Sequence, residues 1–233
     1  MQTTNYQQRR SEIETYFDRT AADAWSRLTS DAPVSRIRRT VRAGRDQMRS
    51  VILDWLPNDL KGTRILDAGC GAGNFAFEAA ELGAHVIGID LSPTLIKLAR
   101  DRMPDFSGEG SVEFHVGDML DGVGDDFNYL VAMDSLIHYD TSDGLNVLSS
   151  LSEKIKERMI FTFAPRTFFL GSMHTVGRLF PRGDRAPSIE PIAEKKLWNL
   201  LDGDDRLSRW SRGRVERVKS GFYISQACEL VGC

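Results

Sequence analysis

Cysteine and long apolar runs are scarce in this sequence of 233 residues. The cysteines are Cys70, Cys228 and Cys233, an odd number with no CxxC or CxxH spacing. This pattern predicts neither a disulfide framework nor a zinc site, and no other metal site is predicted. The apolar stretch at residues 168–180 is interrupted by polar residues and is too short to span a bilayer. These absences favour a protein of a reducing compartment over a secreted disulfide scaffold or an integral membrane protein.

A large net charge and an apolar leader are also absent. The formal net charge is −3, which argues against binding of nucleic acid through overall charge. Residues 1–10 contain no apolar segment, so we expect no secretory signal. The expected location is the cytoplasm, with peripheral attachment to a membrane as an alternative.

Positive charge is nevertheless concentrated near the N-terminus. Six arginines fall within fourteen residues: Arg36, Arg38, Arg39, Arg42, Arg45 and Arg49. The cluster has three interpretations, namely a solvated helix face, a contact with a membrane surface, or a docking face for an acidic partner.

Strand and helix patterns alternate from Thr63 to the C-terminus, which is typical of a sheet covered by helices on both faces. The predicted strands span 63–67, 84–90, 112–116, 127–133 and 159–163, and a closing hairpin pairs 215–218 with 222–227. The predicted helices span 75–82, 93–103, 193–201 and a segment capped by Ser142 that ends near Glu157. We therefore expect a Rossmann-like α/β fold with a seven-stranded, mostly parallel sheet and an antiparallel C-terminal hairpin.

The first sixty residues have a different pattern. Apolar side chains recur at helical spacing at Ile13, Tyr16, Phe17, Ala21, Trp25 and Leu28. We expect residues 1–60 to form a helical lid over a domain at 61–233, with 165–190 as an insertion at the substrate pocket.

A glycine-rich turn follows the first predicted strand. Gly69, Gly71 and Gly73 alternate with other residues, and Asn74 occupies the place where a GxGxxG dinucleotide fingerprint needs its last glycine. No Gly-Lys-Ser/Thr follows, which excludes a P-loop. Asp67 at the mouth of the turn would repel a pyrophosphate but suits a cation. S-adenosylmethionine is such a ligand, because it carries a sulfonium and an ammonium.

The Asp-x-Gly-x-Gly-x-Gly turn resembles motif I of class I methyltransferases. The resemblance implies that Asp67 and the loop carbonyls bind the methionine end of S-adenosylmethionine. Asp90 ends the second strand, where a carboxylate can accept ribose hydroxyls. By the same resemblance, Asp118 and Met119 lie near the adenine. The predicted cofactor-binding residues are Asp67, Gly69, Cys70, Gly71, Gly73, Asn74, Asp90, Leu91, Gly117, Asp118, Met119 and Asp134; among them, Cys70 is interpreted as a small filler of the turn.

Beyond this motif, the chain resembles the magnesium-protoporphyrin IX O-methyltransferase family. The specific segments are Leu-Ile-His-Tyr at 136–139 and Phe-Ala-Pro-Arg-Thr-Phe at 163–168. The resemblance implies methyl transfer to one propionate carboxylate of magnesium-protoporphyrin IX. It also implies an association with the large porphyrin-carrying subunit of magnesium chelatase, and it makes a photosynthetic membrane the candidate for peripheral contact.

A carboxylate acceptor has a reference pKa of about 4.3 and needs no general base, so the catalytic candidates are positioning groups. We expect His138 to hold the propionate, with Tyr139 or Tyr16 assisting. The predicted substrate-binding residues are Trp25, Arg166, Phe168, Phe169, Met173, Phe180 and Arg182, although the apolar ones also fit a plain core face.

Other functions remain open from the sequence. A methyltransferase of a quinone or another small aromatic would share every cofactor residue. A non-catalytic S-adenosylmethionine-binding subunit that stimulates the chelatase would share them as well. A nicotinamide-dependent oxidoreductase is disfavoured by Asp67 and Asn74.

Overall fold

The computed structural model describes residues 4–20, 36–121, 124–166 and 189–233. The N-terminal part contains two helices, α1 (Thr4–Thr15) and α2 (Arg36–Asp54), and a π-helical turn at Tyr16–Thr20 follows α1. Helical structure in the first sixty residues was predicted.

The remaining elements alternate strand and helix. The strands are β1 (Arg64–Ala68), β2 (His85–Asp90), β3 (Ser111–Val116), β4 (Phe127–Ala132), β5 (Ile155–Phe163), β6 (Trp210–Ser220) and β7 (Tyr223–Gly232). The helices are α3 (Asn74–Glu81), α4 (Pro93–Asp101), α5 (Thr141–Ser152) and α6 (Glu194–Asp202), with short 3-10 turns at Leu136–His138 and Asp205–Leu207.

The strands form one seven-stranded sheet in the order β3-β2-β1-β4-β5-β7-β6. The first five strands pair in parallel, whereas β7 runs antiparallel to both β5 and β6. This topology confirms the predicted Rossmann-like sheet with an antiparallel C-terminal hairpin.

Alternating side chains of the central strands divide the core into two layers. Leu66 and Leu130 pack with α5 and α6 on one face of the sheet. Ile65 and Val131 pack with α2 and α3 on the other. A strand that is buried on both faces has a nearly continuous apolar sequence, as β4 does.

Two predicted boundaries were wrong. Helix α5 is capped by Asp140, whose Oδ1 accepts a hydrogen bond from the Asp143 amide at 2.9 Å, and not by Ser142. It ends at Ser152 because β5 already begins at Ile155, where it pairs with Phe127.

The hairpin strands are also longer than predicted. Charged residues such as Arg212 and Arg214 interrupt the apolar alternation of β6 in the sequence. They lie on an edge strand, where exposed charges are tolerated. In the part of the chain that the structure describes, no helix has the length and apolar character needed to cross a membrane.

Candidate active site

The glycine turn leaves β1 at Ala68 and leads into α3. Gly69, Gly71 and Gly73 have φ values of 81°, 55° and 81°, in the left-handed region that favours glycine. A Cβ atom on Gly69 would lie 2.3 Å from the Cβ of Ser135, and one on Gly73 would lie 2.6 Å from Cζ of Phe114. The turn therefore requires glycine both for its backbone conformation and for close packing.

Asp67 lies at the base of this turn and is 2% exposed. Its Oδ2 is buried without a hydrogen-bond partner among the described residues. Burial and, to a lesser extent, the Asp90 carboxylate raise the pKa of Asp67 to about 8, although the Arg45 guanidinium opposes the shift. A buried carboxyl with an open acceptor is suited to a cationic ligand that would restore its charge.

Asp90 is fixed at the end of β2 by two backbone amides. Its Oδ2 accepts from Gly71 N and its Oδ1 from Ser92 N, each at 2.9 Å. Burial raises the pKa of this carboxyl, and the amide hydrogen bonds oppose the increase. Asp90 thus joins the glycine turn to the N-terminus of α4.

A central cavity of about 570 Å³ opens over the carboxyl ends of the parallel strands. Its lining includes Gly69, Gly71, Asp90, Leu91, Gly117, Met119, Asp134, His138 and Tyr139, all of which the sequence analysis selected. An adjoining loop cavity is lined by Asp67, Gly69, Cys70, Asn74, Arg45 and Arg49, among others. Apart from Gly73 and Asp118, the predicted cofactor residues are therefore brought together around two neighbouring cavities; Gly73 lies within the turn, where it packs closely against Phe114.

Asp118 is placed differently. Its carboxyl is 1% exposed, and its Oδ1 accepts hydrogen bonds from Tyr6 Oη at 2.8 Å and from Leu120 N at 2.9 Å. Nη1 of Arg10 lies 3.5 Å from Oδ2. Tyr6 also stacks on Tyr139 with ring centroids 5.1 Å apart. Helix α1 therefore covers the Asp118 carboxyl, which is not among the residues that line the central cavity.

A third cavity, the hairpin cavity, has a volume of about 880 Å³ and lies beside the β6–β7 turn. Its walls are mainly apolar, with Phe17, Val41, Ile137, Ala164, Ile189, Phe222 and Ile224 beside Tyr16, Arg45, Asp134, His138, Tyr223 and Ser225. The rings of Phe17 and His138 pack edge to face at 5.6 Å. Tyr16 and His138, both predicted to be catalytic, thus line one cavity.

Asp134 connects four elements. Its Oδ2 lies 3.1 Å from Nη1 of Arg45 on α2. Its Oδ1 accepts from Thr162 of β5 at 3.1 Å and from Ser225 of β7 at 3.0 Å, and Tyr223 Oη donates to Oδ2 at 3.0 Å. Burial raises the pKa of Tyr223, and the Asp134 carboxylate raises it further.

The predicted substrate residues are only partly described. Arg166 is exposed, its backbone amide donates to Ile192 O at 3.0 Å, and it is not among the residues lining the three cavities. The residues Trp25, Phe168, Phe169, Met173, Phe180 and Arg182 lie outside the described ranges.

Several cavity residues were not selected from the sequence: Ile13, Phe17, Arg45, Tyr223 and Ser225. One signal for Arg45 was present. Gly44 precedes it inside a helix, and a Cβ there would lie 2.4 Å from Cδ1 of Tyr223. An isolated glycine in a helical pattern indicates close packing of another element, which here is the hairpin.

Comparisons with known proteins agree with this geometry. A family model for the magnesium-protoporphyrin IX methyltransferase C-terminus matches residues 132–232, and a methyltransferase-domain model matches 59–167. The magnesium-protoporphyrin O-methyltransferase of Rhodobacter capsulatus is 46% identical over 227 residues, which are 97% of this chain and 98% of that protein. A ubiquinone biosynthesis O-methyltransferase of Methylocella silvestris is 38% identical, but the match covers 52% of this chain and 51% of that protein.

The fold has a counterpart among solved structures. The crystal structure of magnesium protoporphyrin IX methyltransferase from Synechocystis PCC 6803 with bound S-adenosylhomocysteine (SAH) matches with a TM-score of 0.83 at 28% identity. The match covers 96% of this chain and 99% of that one. The similarity therefore includes both the glycine turn and the hairpin cavity.

Proposed function

Because this chain belongs to the magnesium-protoporphyrin O-methyltransferase family, we propose that it transfers a methyl group from S-adenosylmethionine to a propionate carboxylate of magnesium-protoporphyrin IX. The products are the monomethyl ester, an intermediate of bacteriochlorophyll and chlorophyll synthesis, and S-adenosylhomocysteine, which is left when the S–CH3 bond breaks. The observation that carries the proposal is the 46% identity across 97% of the chain, since it includes the part that builds the hairpin cavity.

The residues around the glycine turn fit S-adenosylmethionine. Asp67 offers a buried acceptor to a cationic group, and Asp90 faces the central cavity, where ribose hydroxyls can share its carboxylate. Leu91, Gly117 and Met119 supply the wall for the adenine. When bound, S-adenosylmethionine supplies an electrophilic methyl group.

The protein has to position the acceptor and does not have to activate it. A propionate is already ionised at neutral pH, so alignment and removal of water are the main tasks. Alignment of this kind can contribute about 7–11 kcal/mol to lowering the barrier. His138 lines both the central cavity and the hairpin cavity, which supports its role as the group that holds the propionate. Tyr16 is on the hairpin-cavity side and Tyr139 on the central-cavity side.

The hairpin cavity is suited to a flat, apolar macrocycle. Its side chains are mostly aliphatic or aromatic, and its ionisable groups Arg45, Asp134 and His138 also line the central cavity. The predicted residues Phe168, Phe169, Met173, Phe180 and Arg182 belong to this proposal as further contacts to the ring and to the second propionate, whereas Arg166 does not line the hairpin cavity. We assign 61–233 as the methyltransferase domain, with 165–190 as its substrate-pocket insertion, and 1–60 as its helical cover.

The porphyrin-carrying subunit of magnesium chelatase is the proposed source of the substrate. Arg39 is exposed near the start of α2, and Phe222 is 44% exposed at the β6–β7 turn beside the hairpin cavity. Gly221 and Thr40 bring these two regions together, since a Cβ on Gly221 would lie 2.7 Å from the Cβ of Thr40. A basic and aromatic edge of this kind fits an acidic partner or an anionic membrane surface. Pull-down by the chelatase subunit tests the acidic partner, and flotation with anionic vesicles tests the membrane surface. Each experiment is repeated with R39E.

The activity is tested with labelled S-adenosylmethionine and magnesium-protoporphyrin IX. We expect the labelled monomethyl ester, and metal-free protoporphyrin serves as the control for recognition of magnesium. Methylation of a quinone precursor without porphyrin ester would contradict the proposal and identify the quinone alternative. Stimulation of chelatase without ester would identify the accessory subunit.

His138 is tested by H138A. We expect kcat to fall at least about a hundredfold because the carboxylate loses its orienting group, while SAH still binds. Single-turnover ester formation measures the fall in rate, calorimetry measures SAH binding, and porphyrin fluorescence measures binding of the acceptor. Full turnover by H138A with intact porphyrin binding would remove His138 from the mechanism.

A further inference from the structure

The central and hairpin cavities are neighbours that share four lining residues, which form the junction between them. Phe17, Arg45, Asp134 and His138 line both of them. In the proposed function, the methyl donor occupies the central cavity and the porphyrin occupies the hairpin cavity. The carboxylate that receives the methyl group must therefore reach this junction.

The junction already contains a buried negative charge. The Asp134 side chain is 4% exposed, and an incoming carboxylate would be repelled by it in a poorly solvated space. Arg45 is the cation that offsets this charge, at 3.1 Å from Asp134, with its own side chain 21% exposed. Of the described residues at the junction, His138 is cationic only when protonated, whereas an arginine guanidinium is cationic throughout the physiological pH range.

We propose that Arg45 binds the reacting carboxylate of the acceptor, and that Asp134 is a positioning residue that holds the guanidinium in place. A guanidinium offers parallel N–H donors that match the two oxygens of a carboxylate. Arg45 therefore distinguishes an acid from its methyl ester at this position. The inference rests on the proposed function and adds to it a residue that selects the acceptor.

The Asp134 side chain is restrained by its backbone conformation and by hydrogen bonds. Its φ of 53° lies in the left-handed region, which an aspartate adopts more readily than most residues. The hydroxyls of Thr162, Tyr223 and Ser225 all donate to its carboxylate. The ion pair with Arg45 is therefore anchored on β5, on β7 and on the segment that follows β4, and it fixes one side chain of α2 against the junction.

The experiment must distinguish the acceptor carboxylate from a second possible ligand of Arg45. Arg45 also lines the loop cavity beside Asp67 and Asn74, where the carboxylate of the methionine moiety could meet it. The two assignments differ in which ligand loses affinity when the guanidinium is removed.

The test uses R45Q and R45K, with R206Q as the charge-matched control, because Arg206 pairs with Asp204 in an exposed position outside the three cavities. Binding of SAH is measured by calorimetry. In its presence, binding of magnesium-protoporphyrin IX and of its monomethyl ester is measured by porphyrin fluorescence. We expect wild type and R206Q to prefer the acid by about tenfold or more, because a charge-assisted contact is lost with the ester.

In R45Q, this preference should fall below about threefold while SAH binding changes by less than about threefold. R45K should retain part of the preference, because it keeps the charge but loses the planar fork. D134N should lower kcat/KM for the porphyrin by a larger factor than it raises the Kd of SAH, because Asp134 also lines the central cavity.

Three outcomes would overturn the inference. An intact acid preference in R45Q removes Arg45 from acceptor binding, and loss of SAH affinity alone assigns it to the methionine carboxylate. Wild-type kcat/KM in D134N removes the positioning role. Failure of the proposed function is separate, since wild type would then form no ester at all.

Discussion

Asp67 is a single residue whose protonation should be coupled to ligand binding. Burial raises its pKa to about 8, so the carboxyl is largely protonated at neutral pH in the ligand-free protein. A cationic ligand in the loop cavity favours the ionised form, and binding must then expel the proton. The same shift means that the folded state holds more protons than the unfolded state, so ligand-free stability falls as pH rises from about 4 towards 8.

We therefore predict that affinity for S-adenosylmethionine increases with pH. Between pH 6 and 7.5, below the range of about 7.7–8.0 in which an α-amino group titrates, Kd should decrease about tenfold per pH unit. Calorimetry in buffers of different ionisation enthalpy also reports the released proton. In D67N the affinity should be weaker and its pH dependence lost. Equal slopes in D67N and wild type would show that another group carries the proton.

Glycine at position 69 can be tested against a matched glycine elsewhere. Gly69 and Gly62 both have a left-handed backbone, with φ of 81° and 71°. A Cβ on Gly69 would lie 2.3 Å from the Cβ of Ser135, whereas a Cβ on Gly62 would have no neighbour within 4 Å. G62A should therefore lose only about 1–2 kcal/mol of unfolding free energy from backbone strain.

G69A should lose more stability than G62A and should also lose cofactor affinity, because the turn or Ser135 must move. Urea unfolding and SAH calorimetry measure the two effects. Equal stability losses with unchanged SAH binding in both variants would show that the packing at Ser135 is dispensable.

The chemistry of single residues was predictable only where it is local in the sequence. The positions of Asp67 and the glycines follow from one strand-turn-helix segment, so their arrangement could be read directly. Arg45 meets Asp134 across 89 positions of the chain, and Tyr6 meets Asp118 across 112. Neither pairing leaves a periodic or motif signal, so the sequence left three interpretations of the arginine cluster, with a solvated helix face as the favoured one, and gave no indication that Arg45 meets Asp134.

The N-terminal helices are elements whose existence was predictable but whose docking was not. The spacing of Ile13 and Phe17 indicates an amphipathic helix, and both residues pack against the core. The pattern does not specify which surface the helix covers. In the structure, α1 lies over the segments that follow β3 and β4, where Tyr6 donates to Asp118 and stacks on Tyr139.

Y6F tests how firmly α1 is held. The variant keeps the ring stack on Tyr139 but loses the hydrogen bond to Asp118, which is worth about 1.5–3 kcal/mol if the carboxyl is charged. Local opening of residues 4–20 should then become about 10–100 times more frequent, as measured by hydrogen exchange.

The matched control is Y129F. Tyr129 also donates to a carboxylate, Glu157 at 2.9 Å, but it does so between β4 and β5. Y129F should leave exchange in residues 4–20 unchanged. Similar acceleration in both variants would indicate a global loss of stability and would not support a specific anchor for α1.

At the scale of the whole molecule, the alternation of strands and helices along the sequence specifies the type of sheet but not the order of its strands. The run of strands and helices predicted a parallel sheet with a closing hairpin, and seven strands were found. The order β3-β2-β1-β4-β5-β7-β6 depends on pairings between distant strands, which local patterns do not encode. That order reverses direction between β1 and β4, and the crevice at such a switch point is where open α/β sheets bind ligands.

Because the central cavity lies at this switch point, ligand binding should stabilise the molecule as a unit. A ligand present at a hundred times its Kd adds about 2.7 kcal/mol, and for a chain of this length each kcal/mol raises Tm by about 2–4 °C. SAH should therefore raise Tm by about 5–11 °C in a thermal scan. G62A should keep this increase from its own lower baseline, whereas G69A at the same SAH concentration should lose most of it. A full increase in G69A would mean that SAH binds away from the glycine turn, and the assignment of both cavities would have to be revised.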